Sequence, residues 1–353
     1  MNPTVIFDGY EEVTIKSQEH LRRNSAPMSS YVDIREDSKC VFTQDRYFSL
    51  TENKSSFIKF LSSNFISESI AVINCSGDAD TKVVSSAIGF AKRKAGPCAV
   101  IADDTDIAVM LLHHWTAEMD DIYFVQQRTL RAWNMRYVES GIQDIKRDIL
   151  FLHAFTGCDS TSMIFSKGKV SIVNLFRKCK VLQSVSKIFM NDKSSPEEIG
   201  KAATLGIKAV YNCARADDKS LGKIRYQKYI DMTCRGNIQP EKLPLTERAS
   251  YFHGLRVFYQ IMQWLYINEE VKLNFLEWGW KKSGSSLKPI TTDLQYAPSS
   301  LQHIIRCNCK SSKPCSSNAC TCRKHGIPCL PACGGSVAGR IALIEPEKLV
   351  IKV

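Results

Sequence analysis

Aspartates gather just beyond three short apolar runs of the chain. Asp8 closes TVIFDGY at residues 4–10, Asp78 and Asp80 follow IAVIN at 70–74, and Asp104 and Asp106 follow CAVIA at 98–102. Carboxylates are hard oxygen donors, suited to magnesium or manganese. Two-metal hydrolysis of a phosphodiester needs several of them to converge, so that two cations about 3.5–4 Å apart clamp the attacking and leaving oxygens. An aspartate at a strand end suits this, because its short side chain keeps the ligand oxygen close to a rigid element. The plainer alternative is that these acids cap helices, for which aspartate is a favoured residue.

A second group of chemistry-bearing residues lies near the other end. Of the fourteen cysteines, seven fall between Cys307 and Cys333, in CNCKSSKPCSSNACTCRKHGIPCLPAC. The pairs Cys307/Cys309 and Cys320/Cys322, with Cys315, Cys329 and Cys333, supply more thiolates than one tetrahedral zinc requires. Glycine and proline between them provide turns. So small a block has almost no apolar core, so bound zinc is expected to supply its folding free energy. Disulfides fit less well, since an odd count leaves one thiol unpaired. His325 reads as a surface residue. The remaining cysteines (Cys40, Cys75, Cys98, Cys158, Cys179, Cys213, Cys234) sit mostly beside apolar neighbours and read as small buried hydrophobes of a reducing compartment.

The elements that must position the aspartates alternate. Strands at 4–10, 70–74, 98–102 and 121–125 are separated by helical spacing at Phe57–Phe65 and by a helix from the GDAD segment to about Lys94. Short continuous apolar strands between helices imply a parallel sheet covered on both faces, with ligands gathering at the carboxyl ends of the strands. All five aspartates lie there. From about Asp144 to Tyr229 the chain reads as mostly helical, interrupted at GCDST and SKGK. Phe252, Leu255, Tyr259, Met262 and Leu265 mark a core-packing stripe on a helix over 246–266. The segment containing Trp278-Gly279-Trp280 and the Ser/Gly/Pro-rich 283–300 reads as a linker. The expected division is 1–165, an α/β domain; 166–240, a helical extension; 241–300, helix and linker; and 301–340, the zinc module.

With 44% hydrophobic and 24% charged residues, the 353-residue chain reads as globular. No apolar run reaches the roughly 18 residues of a membrane helix, and the N-terminus lacks the pattern of a secretory signal. A membrane or secreted location is therefore not expected; nucleus, or otherwise cytoplasm, is. The net charge of +11 favours a polyanionic partner, since cations gain from releasing counterions on phosphate backbones.

VIFDG followed by IKSQEHLRR resembles the flap endonucleases and XPG-type structure-specific nucleases, within the wider PIN-like fold. The resemblance covers about residues 4 to 180. It implies a three-layer, parallel-sheet α/β domain, with Asp8 as a metal ligand and Lys16 and Arg23 as cations reaching the scissile phosphate. Gly77-Asp78-Ala79-Asp80 is similar to the family's paired acids, and Asp103-Asp104-Thr105-Asp106 to the next pair, with Asp104 and Asp106 as ligands and Asp103 a bystander. Gly157-Cys158-Asp159 matches its Gly-x-Asp, so Asp159 is implied as the last carboxylate. Ser166-Lys167-Gly168-Lys169 stands where those nucleases grip duplex backbone, which implies phosphate contact for Lys167 and Lys169. The family also has an earlier, central strand carrying a further aspartate, for which this chain begins too late.

The cysteine pattern resembles the tesmin-type CXC domain, which shares bridging thiolates among zinc ions and binds DNA. Six Lys/Arg and no acid from Arg306 through Arg340 suit that. A PIN-like front joined to a cysteine-rich tail is also similar to mobile-element-derived proteins of invertebrates. Two functions follow as expectations. One is a magnesium- or manganese-dependent, structure-specific DNA nuclease. The other is a catalytically inactive DNA- or chromatin-binding protein that relies on the zinc tail.

Overall fold

The computed structural model describes residues 3–9, 30–39, 42–212, 220–234, 240–269, 271–284, 286–294, 307, 309 and 320–324. Residues Met1–Thr292 form one compact unit and Asp293–Val353 a second. The boundaries read from sequence at 165 and 240 fall inside the first unit, where one hydrophobic core runs from Val84 to Trp278. Among the described residues, no helix is long and apolar enough to cross a membrane.

The first unit is a mixed α/β structure. Strand β1 (Thr4–Phe7) leads to helices α1 (Gln44–Tyr47) and α2 (Thr51–Ser67). Strand β2 (Ala71–Asn74), helix α3 (Asp80–Lys92), strand β3 (Cys98–Ile101) and helix α4 (Thr105–His114) follow. Strands β4 (Ile122–Gln126) and β5 (Arg131–Asn134) lead into α5 (Met135–Ser140). Each of the first four strands falls where the apolar runs placed it.

The sheet differs from expectation. β1 pairs in parallel with β2, Thr4 opposite Ala71 and Phe7 opposite Asn74. β3 pairs in parallel with β4, which pairs antiparallel with β5. No ladder joins β2 to β3 among the described residues. Among the described residues, β1 to β5 thus form two small sheets, one parallel and one mixed, where a single parallel sheet was expected. Nor is β3 covered on both faces: side chains alternate along a strand, and Val100 is 7% exposed while its neighbour Ile101 is 69% exposed.

The helical part follows as α6 (Ile149–Thr156), α7 (Lys169–Phe176), α8 (Lys180–Phe189), α9 (Pro196–Asn212), α10 (Leu221–Cys234) and α11 (Glu247–Leu265). α3 packs on β3 and α4, α4 on α6, α6 on α11, and α11 on α9. The last pair is close. A Cβ added at Gly254 of α11 would stand 2.4 Å from the Cβ of Ala203 on α9. The stripe on α11 is indeed in the core, but the burial goes round the helix, taking in His253, Arg256 and Gln260 as well. Arg256 is tolerated there because its guanidinium donates to the carbonyls of Ile290 at 2.6 Å and Gly279 at 3.4 Å.

Those acceptors flank an element that the sequence reading took for linker. β6 (Trp280–Ser283) and β7 (Ser286–Pro289) form an antiparallel hairpin. Its tryptophan is buried, and Trp278 just before it stacks on Phe258 with ring centroids 4.5 Å apart. Cys179, expected as a small buried hydrophobe of a reducing compartment, is buried in the core but disulfide-bonded.

Candidate metal centre

Three of the expected acids meet. Ligand-capable oxygens of Asp80, Asp104 and Asp106 all lie within 4.8 Å of one another. Two helix starts bring them there. Asp80 opens α3 after β2, and Asp104 is the N-cap of α4 after β3, its Oδ1 accepting the Asp106 amide at 2.8 Å. Capping and metal binding are compatible, since a carboxylate has about four acceptor positions. Helix N-termini also favour negative charge. The carboxyl ends of the two sheets therefore converge although no ladder joins their strands.

Asp106 is 4% exposed. Its Oδ1 lies 2.7 Å from Nε2 of His153 on α6. An ionised carboxylate only accepts, so Nε2 carries the proton in this bond. Trp264 of α11 lies beside the imidazole, with ring centroids 5.6 Å apart.

The other three acids stand outside that triplet. Asp8 uses Oδ1 to accept the Ala79 amide at 2.9 Å, which tethers the end of β1 to the start of α3. Gly9 beside it donates to the Gly77 carbonyl at 2.7 Å, an approach so close that a Cβ would sit 2.1 Å from the Cys75 oxygen. Asp78 accepts the Asp80 amide at 3.4 Å. Asp103, read as a bystander, accepts the Arg128 amide and pairs with its exposed guanidinium at 3.3 Å.

Asp159 lies in a tight turn after α6. Gly157 takes a φ of 112°, and a Cβ there would meet Met163 Cα at 2.7 Å. Thr161 closes the turn, accepting from the Cys158 amide at 3.0 Å and donating to the Ala154 carbonyl at 2.7 Å. Burial raises the Cys158 thiol above its ordinary value, and the Asp106 charge adds to this.

Two cations expected on phosphate make contacts within the protein. The Lys169 ammonium donates to Gly157 O at 2.6 Å, His153 O at 3.1 Å and Thr156 Oγ1 at 3.1 Å. It caps the carbonyl end of α6, a favoured place for a cation, while the residue as a whole stays exposed. Burial lowers its pKa, while the Cys158 and Asp106 charges oppose that. Lys167 stands 5.2 Å from the ring centre of Tyr211, with its pKa lowered by burial and then by Lys228. Lys16 and Arg23 lie outside the described residues.

His153 and Lys54 are the residues that sequence reasoning passed over. Burial lowers the pKa of Lys54 on α2, while the Asp8 charge opposes this. A histidine in ILFLHAFT reads as an ordinary core residue, and only the fold brings it to Asp106.

In the second unit, the thiols of Cys307, Cys309 and Cys320 lie within 4.8 Å of one another, with Cys307 and Cys320 buried. α12 (Thr321–Lys324) starts directly after Cys320, whose sulfur accepts the Arg323 amide at 3.5 Å. Soft thiolates at this spacing suit zinc, and N–H bonds to sulfur are the outer contacts such a site uses. Cys315, Cys329 and Cys333 lie outside the described residues, as does the side chain of Cys322.

The protein thus joins a mixed α/β unit carrying a carboxylate triplet to a unit carrying a thiolate triplet, and each triplet could bind a metal ion. No protein-family model matches the chain, and no curated protein sequence matches it.

Proposed function

We propose that the first unit is a divalent-metal-dependent nuclease acting on DNA, and that the second is a zinc-bound module that helps hold the same substrate. The observation that carries the reading is the approach of Asp80, Asp104 and Asp106 within 4.8 Å at two strand-to-helix junctions. Acids that served only as caps would have no reason to face one another across two elements. The triplet, with Asp8 tied to the start of α3, would hold magnesium or manganese, and Asp159 is proposed as a further ligand. Such an ion supplies activation of water and charge neutralisation at a phosphate. The protein's own part is to fix the oxygens: Asp104 through the start of α4, Asp106 through His153, and Asp8 through the Ala79 amide. A net charge of +11 would draw the polyanion to these acids.

Purified protein incubated with labelled flap and hairpin DNA, with magnesium or manganese, tests this. Cleavage that Asp104→Ala abolishes while DNA binding persists supports it, and turnover unchanged in that variant rejects it.

The second reading, an inactive DNA- or chromatin-binding protein, is favoured by one feature. Among the described residues, β2 and β3, which the acids follow, are not joined in one sheet, and a metal site on two separate sheets is less rigidly held. Retained DNA binding without cleavage of any of these substrates would select it.

A further inference from the structure

The contact between His153 and Asp106 joins elements far apart in the chain, 47 residues from one side chain to the other. Both side chains are 6% exposed. Burying a carboxylate is costly unless it is bonded, and this one lies in the same triplet as Asp80 and Asp104. Its backbone and its side chain are held separately. The Asp106 amide donates to Asp104 at 2.8 Å, fixing the first turn of α4, and the imidazole donates to the carboxylate Oδ1 at 2.7 Å. The imidazole lies against Trp264, and the backbone of His153 is held by Lys169, which donates to its carbonyl at 3.1 Å.

We infer that His153 is a positioning residue of the carboxylate centre, its Nε2–H holding Oδ1 of Asp106 so that the carboxylate presents to a divalent cation in one orientation. The inference rests on the reading of Asp80, Asp104 and Asp106 as a metal site. Hydrogen bonds from outside the ligand shell orient a ligating carboxylate, and losing one typically lowers metal affinity about 10–100-fold. A purely structural histidine–aspartate pair would instead join α4 to α6 and leave the metal affinity of the folded protein unmoved.

The full chain is titrated with manganese, with binding read from the loss of the free-ion electron paramagnetic resonance signal. Melting of each variant without metal is recorded alongside. His153→Phe keeps bulk against Trp264 but has no donor; His153→Asn is shorter and tolerates a polar surrounding if the phenylalanine does not fold. Both are expected to bind manganese about 10–100-fold more weakly. His153→Gln, whose amide reaches the Nε2 position, is expected to return affinity close to wild type. Wild-type affinity in the Phe and Asn variants, whatever their melting temperatures, overturns the inference. So does a Gln variant no better than Phe, which would assign the effect to ring packing. Asp104→Ala serves to separate the two levels of the argument. If it binds as wild type does, or wild type does not bind, the metal site itself fails. If it loses binding while the histidine variants keep it, only the role of His153 fails.

Discussion

The Asp8 carboxylate accepts the amide of Ala79 at 2.9 Å across 71 residues of chain. The end of the first strand thereby caps the start of the helix that carries Asp80, so one side chain both closes a helix and stands at the edge of the carboxylate centre.

Separating those two duties gives a prediction. Asp8→Ala removes the acceptor of the Ala79 amide at the start of α3, and urea denaturation should show a loss of about 0.5–1.5 kcal/mol. Asp8→Asn keeps an acceptor oxygen without the charge. It should retain nearly all of that stability while weakening manganese binding. Equal stability losses in the two variants would count against the capping bond.

Acid should destabilise the fold through two histidines. Burial lowers His253 from 6.5 to about 3, with the Arg256 charge adding to it, and His253 is 1% exposed with Nε2 3.1 Å from the Phe155 carbonyl. Burial likewise lowers His113 to about 4, with His114 contributing. A lowered folded-state value means that below 6.5 the unfolded chain takes up protons that the folded one refuses. Their stabilising effect is therefore complete above that pH and declines as pH falls toward 4 and then 3, by up to about 1.4 kcal/mol per unit for each group. Urea midpoints taken from neutral pH downward should decline, and His253→Gln should flatten the slope. A midpoint independent of pH over that range would refute the argument.

The thiolate triplet predicts zinc in the purified protein. Elemental analysis should find it, and a strong chelator should remove it with loss of the fold around Cys320. Cys320→Ser should lower the zinc content per chain, because this buried sulfur anchors α12 as well as facing Cys307 and Cys309. Zinc content unchanged by that substitution would move the ligands elsewhere among the cysteines.

Much of the front of the molecule was legible in the sequence because strands and helix starts are local features. TVIF, AVIN, CAVI and IYFV are apolar runs of strand length, and an aspartate after each of the first three marks the exit into a loop or helix. What was not legible depends on distant partners. RAWN is polar enough to pass for loop, and becomes β5 only because β4 offers it a ladder. The hairpin at 280–289 lies in a Ser/Gly-rich stretch, and it is fixed in part by Arg256, a residue of the neighbouring helix. Lys169 looks like a free cation in SKGK, yet it finds three oxygens at the end of α6. His153 belongs to the same group. Nothing in ILFLHAFT distinguishes a packing histidine from one that holds a ligand.

Asp80, Asp104 and Asp106 are expected to take up one cation. Crystals grown with manganese and measured near its absorption edge address this directly. An anomalous peak about 2.0–2.6 Å from oxygens of these three side chains is predicted. A manganese-saturated crystal with no peak there would contradict it.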